Sequence, residues 1–149
     1  MQEEVLNSLR SRRPQLRRHW ETLLRTERAS SPLANPEALI FMMYWTFDRV
    51  FEALKYTSAR LHATPPRPDC TCGLNPLLAY FATLEQVLIE GLVLAQVEIS
   101  HRPAHRHEAD LAQLKLALEY VASREIGAFC AVCQHKQQVH AGASAASAH

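Results

Sequence analysis

Three features of this sequence predict an all-α fold. Apolar residues recur at three- and four-residue spacing through most of the chain, glycine occurs only four times in 149 residues, and no run alternates as a strand does. Helices of similar length joined by short connections pack most simply as an up-down-up-down four-helix bundle, about 40 Å long at 1.5 Å of rise per residue. Hydrophobic residues make up 48% of the chain and charged residues 21%, the balance of an ordinary globular domain with enough apolar surface for one core. Residues 1–140 are therefore expected to form a single helical-bundle domain. The Ala/Ser-rich stretch 141–149 has nothing to bury and is expected to be a disordered tail.

The first helix is marked by Leu16, Trp20, Leu23 and Leu24, with residues Glu3 to Arg12 extending it backwards through a kink at Pro14. Asn35-Pro36-Glu37 starts the second. Its Asn side chain is suited to accept from first-turn amides, and proline sits where no donor is needed. Ile40, Met43, Phe47, Val50, Phe51 and Leu54 then follow helical spacing, and the pattern runs to about His62. Thr64-Pro65-Pro66-Arg67-Pro68-Asp69 stops it, since proline removes donors and fixes the backbone. Asn75-Pro76 repeats the start signal for a third helix with the stripe Leu77, Phe81, Leu84, Leu88, Leu92, Ala95 and Ile99. After a turn around Ser100 to Pro103, a fourth carries Leu111, Leu114, Leu118, Val121, Ile126 and Phe129 on its inner face.

The candidate site is a set of four cysteines, Cys70-x-Cys72 and Cys130-x-x-Cys133. Cys72 lies thirty-one residues before Pro103 and Cys133 thirty after it. An antiparallel helix pair turning at Pro103 returns to nearly the same height, so all four thiols are expected at one end of the bundle. Cys130 and Cys133 share a helix face, and Gly73 would let the backbone turn around a bound ion. A zinc ion held tetrahedrally by the four cysteines is the leading reading, with an iron–sulfur cluster, another metal, redox-active thiols or inert thiols as alternatives. A closed four-sulfur site leaves no open coordination position, so its work would be stapling rather than catalysis. His135 is a possible replacement ligand, and His101, His105 and His107 cluster at the opposite turn, where a weak second metal site competes with a plain solvated turn.

No Ser/His/Asp arrangement or glycine-rich phosphate loop is present, and Glu98-x-x-His101 has no second copy to complete a di-iron bundle site. The chain reads as a non-enzyme. Glu85, closest of the carboxylates to the inner stripe, is expected to be solvated or hydrogen-bonded. Net charge is +1 with a pI near 7.8, which gives no general attraction to polyanions. Arg12, Arg13 and Arg17, within a basic patch around Pro14, are the candidate anion-binding residues, though nearby glutamates make a solvated face the better reading and nucleic acid an unfavoured partner. No signal peptide is legible at the amino terminus and no apolar run reaches the ~18 residues of a membrane span, so a cytoplasmic protein without a membrane partner is expected.

The aromatic run Phe41, Tyr44, Trp45, Phe47 and Phe51 covers more than one face of its helix. A helix apolar all round must bury its outer side too, which points to a homodimer, a protein partner or an apolar ligand at the Phe41–Phe51 helix. The leading functional expectation is a zinc-stapled regulatory, sensory or protein-interaction module. A thiol redox sensor using the same cysteines and an anion binder using the arginines are the alternatives.

Overall fold

The structure, a computed structural model, describes residues 1–26, 35–68, 70, 73–99 and 103–133. They form six helices: α1 (Glu3–Ser11), α2 (Arg13–Thr26), α3 (Pro36–Ala53), α4 (Ser58–His62), α5 (Leu77–Glu98) and α6 (Ala104–Val132). No strand occurs among the described residues, as the periodicity predicts. The tail at 141–149, Cys72, His101 and His135 lie outside the described residues.

The start signals work as their chemistry requires. Asn35 Oδ1 accepts from Glu37 N at 3.1 Å, and Asn75 Oδ1 accepts from Leu77 N at 2.9 Å. The break before α2 falls at Arg12, with Pro14 inside the first turn, where its missing donor costs nothing. One boundary differs from expectation. The helix expected to reach His62 ends at Ala53, because Thr57 caps a separate short helix by accepting from Arg60 N through its hydroxyl.

Four long helices pack in a ring, α2 against α3 and α5, and α6 against α3 and α5. Cross-contacts fix their directions. Arg25 meets Glu37 while Arg10 lies over Phe51, so α2 and α3 are antiparallel. Trp20 reaches Thr83 while Arg12 pairs with Glu98, so α2 and α5 are antiparallel. Asn75 reaches Cys130 while Gln96 donates to the His107 carbonyl, so α5 and α6 are antiparallel. Gln113 donates to the Leu54 carbonyl while Arg49 faces Glu125, which sets α6 antiparallel to α3.

It follows that α3 and α5 run parallel, at diagonal corners. The up-down-up-down order expected from short connections is therefore corrected to up-down-down-up. The physical reason is the connection itself: Leu54 lies at the level of Gln113 and Asn75 at that of Cys130, about 25 Å further along α6 at helical rise. Its first half contains α4, which packs on α6, and Arg67 beyond it is tied to Glu119 at 2.8 Å.

The core runs the length of this ring, and its widest layer is aromatic. Trp20, Phe47 and Tyr80 are fully buried, with Trp20 edge-on to Phe47 at 5.3 Å and tilted on Tyr80 at 4.6 Å. Their polar atoms are satisfied: Trp20 Nε1 donates to Thr83 Oγ1 at 3.0 Å, and Tyr80 Oη pairs with Thr46 Oγ1 at 2.8 Å. Burial pushes the Tyr80 phenol well above its usual range, so it stays a neutral hydroxyl. Gly91 lets α5 sit close on the N-terminal helices, since a Cβ there would meet Leu16 Cδ2 at 2.6 Å.

By length and composition α5 is, among the described residues, the one helix able to cross a membrane, contrary to the expectation that no apolar run is long enough. Half of that apolar window is buried, against α1, α2 and α6, which accounts for its composition within this fold.

Candidate functional site

The outward side of α3 is where the sequence leaves apolar surface uncovered. Phe41 is 88% exposed, Tyr44 61% and Trp45 42%, while Met43, Phe47 and Val50 on the inner side are fully buried. Together with Arg17, Glu37 and Ile40 the three aromatics line an open groove of about 580 Å³. Arginines flank it. The Arg13 guanidinium lies 4.3 Å from the Tyr44 ring centre and Arg49 lies 4.1 Å from that of Trp45, spacings at which a cation is attracted to the ring face. These contacts cover one side each of the Tyr44 and Trp45 rings.

The cysteine end is built by the loop before α5 lying on the last turns of α6. Pro68 approaches Gly127, where a Cβ would stand 3.7 Å from Pro68 Cγ. The Gly73 amide donates to the Cys70 carbonyl at 3.1 Å, and Gly73 takes a φ of 66°, a turn that only glycine adopts without strain. Buried Asn75 donates through Nδ2 to Cys130 Sγ at 3.3 Å and toward the Ile126 carbonyl at 3.4 Å. The loop that carries Cys70 and the end of α6 that carries Cys130 and Cys133 are thus at the same pole of the bundle, where the residue count around Pro103 put them. Cys130 is buried; Cys70 and Cys133 are half-buried, and all three are thiols rather than disulfides. Among the described residues no three His, Cys, Asp or Glu side chains are grouped so as to hold a metal ion. The fourth candidate ligand, Cys72, and the substitute, His135, lie outside the described residues.

The remaining candidates are dispersed. His105 is exposed and lines a polar recess with Met1 and Asp110, while His107 is half-buried and engaged through its backbone carbonyl. Arg12 pairs with Glu98, whose carboxyl is held below its usual range first by that guanidinium and next by the Ser8 hydroxyl. Arg13 is bound to Asp48 at 2.6 Å and to the Tyr44 carbonyl at 2.8 Å. Of the three candidate anion-binding residues Arg17 alone is exposed and without an ion pair among the described residues, and it belongs to the aromatic groove.

Two groups were not singled out from the sequence. Asn75 reads there only as a helix cap, and its reach to Cys130 follows from the α5–α6 hairpin. Tyr56 with Arg60 and Tyr120 with Arg124 meet because residues 54–62 fold against α6; the repeated Tyr-x-x-x-Arg spacing was the available signal.

No protein-family model matches this chain, and no curated protein and no solved structure matches it.

Proposed function

We propose that this chain is a non-enzymatic helical interaction module that docks a second copy of itself through the outer side of α3. The observation that carries this is the exposure of Phe41, Tyr44 and Trp45 on a helix whose other face is fully packed. Three large aromatics in one groove make the kind of patch that marks an interaction surface, with aromatic anchors of the sort that dominate binding energy. The charges around it select the occupant. Arg13 pairs with Asp48, Arg49 faces Glu125 and Arg17 shares the groove with Glu37, and the whole chain carries only +1. A rim balanced in this way gives a strongly acidic or basic partner no advantage, and two copies meet without net repulsion.

Sedimentation velocity across a range of protein concentrations tests this reading. A monomer–dimer equilibrium is expected for the native chain and its loss in Phe41→Ser, with the same circular dichroism for both. A monomer at every concentration would overturn it.

A second reading concerns the cysteine end of the bundle, and the contact of Pro68 with Gly127 and of Asn75 with Cys130 favours it. Cys70, Cys72, Cys130 and Cys133 would bind one zinc ion that fastens the crossover loop to the end of α6, with the Asn75 amide donating to a ligating sulfur. Bound metal contributes folding free energy, so Cys130→Ser and Cys133→Ser are expected to lose stoichiometric zinc and melt at lower temperature. Native protein that is metal-free, with every thiol titratable, would contradict the staple.

A further inference from the structure

The crossover connection builds a second cleft, beside the docking face proposed above and sharing Arg49 with its rim. Where residues 54–62 fold back on α6, the rings of Tyr56 and Tyr120 meet edge to face, 5.6 Å apart at 85°. Each tyrosine has an arginine four residues on, the spacing that places both on one helical face. The Arg60 guanidinium lies 3.6 Å from the Tyr56 ring centre and that of Arg124 5.5 Å from the Tyr120 centre. With Arg49 of α3 they converge on a cleft of about 250 Å³, whose walls include Glu52 and Glu125.

Two of the three cations in this cleft form no ion pair with its carboxylates. Glu52 is taken by Lys55 at 2.8 Å, and Glu125 faces Arg49 at 3.9 Å, the outer limit of an ion pair. Neither Arg60 nor Arg124 has a carboxylate within ion-pair reach among the described residues. Their donors are also presented rather than consumed. The Arg60 guanidinium lies over the Tyr56 ring and makes no side-chain hydrogen bond among the described residues. Arg124 Nη1 donates to the Tyr120 hydroxyl at 3.1 Å, so the Tyr120 oxygen accepts there and its own proton remains available to an incoming acceptor.

We propose that this cleft binds the phosphate or diphosphate group of a small soluble ligand. Two unpaired guanidinium forks and a tyrosine hydroxyl that meet from α4 and α6 match a tetrahedral, multiply charged oxyanion, whose oxygens accept from several directions at once. A single carboxylate would leave one guanidinium without a counter-charge. A neutral aromatic ligand would compete with the guanidiniums and with the tyrosines' own edge-to-face contact for the ring surfaces. The crossover that separates this fold from a simple up-down bundle is what brings the two Tyr-x-x-x-Arg pairs together.

Isothermal titration calorimetry of the full chain with inorganic pyrophosphate at low ionic strength tests the assignment. Saturable binding is expected, weakened by roughly tenfold or more in the double variant Arg60→Gln, Arg124→Gln, since hydrogen bonds to charged groups are the strong ones. The double variant Arg18→Gln, Arg106→Gln removes two exposed arginines elsewhere and is expected to bind as the native chain does. Absence of saturable binding, or equal weakening in both double variants, would overturn the proposal, the latter by showing only a diffuse surface charge. Tyr120→Phe removes one hydroxyl from a half-buried ring and keeps the packing; it is expected to weaken pyrophosphate binding several-fold, and an unchanged affinity would count against the cleft.

Discussion

The two sides of α3 carry similar residues in opposite surroundings. On the inner side Phe47 packs against Trp20 at 5.3 Å, and Thr46 gives Tyr80 a hydroxyl partner at 2.8 Å, so ring and polar atom alike are accounted for within the chain. On the outer side Phe41, Tyr44 and Trp45 are open to solvent, with the Arg13 and Arg49 guanidiniums over the Tyr44 and Trp45 rings in place of packed apolar side chains. Hydrophobic composition alone does not distinguish them. The ring of four helices does, because each helix can bury one broad stripe against two neighbours and α3 has apolar residues to spare. One side of the helix therefore works for stability and the other for association.

Truncation should separate those two kinds of work. Trp20→Ala is expected to have the largest effect, a loss of about 3–5 kcal/mol, as it empties the widest core layer and leaves Thr83 without its indole donor. Urea unfolding measures it, and a loss below about 1 kcal/mol would mean that this layer is not closely packed. Asn75→Ala comes next, at about 2 kcal/mol by chemical denaturation, because a buried side chain is lost that caps α5 and reaches the end of α6. A loss comparable to that of an exposed residue would detach the crossover loop from α6. Phe41→Ser should alter the stability of the monomer by no more than about 0.5 kcal/mol. A larger destabilisation under conditions where the protein is monomeric would show that the outer side belongs to the core.

The same contrast explains which parts of the molecule were legible in the sequence. The α5–α6 hairpin was, because Asn75-Pro76 starts a helix whose stripe from Leu77 to Ala95 is buried almost residue for residue, with Leu114, Leu118, Val121 and Ile126 facing it. Counting outward from Pro103 was then enough to bring Cys70 and Cys130 to one pole. The placement of α3 was not legible. Helical periodicity says which side of a helix is buried but not whether it runs parallel or antiparallel to a later helix, and the connection 54–76 is long enough for either. Thr57 held the missing signal: a helix cap inside an otherwise continuous apolar pattern, where the chain leaves α3 and turns back along α6. Arg12 and Arg13 were read as a solvent-facing patch, whereas Glu98 and Asp48, distant in sequence, come to pair with them only once α2 packs between α3 and α5.

Because Trp20 is fully buried and Trp45 is 42% exposed, acrylamide-quenchable tryptophan emission belongs to Trp45, on the docking side of α3. Measuring that quenchable fraction as protein concentration rises tests the central claim most directly. It is expected to fall with concentration in the native chain and to stay constant in Phe41→Ser. A quenchable fraction that does not change with concentration in the native chain would contradict docking through this face.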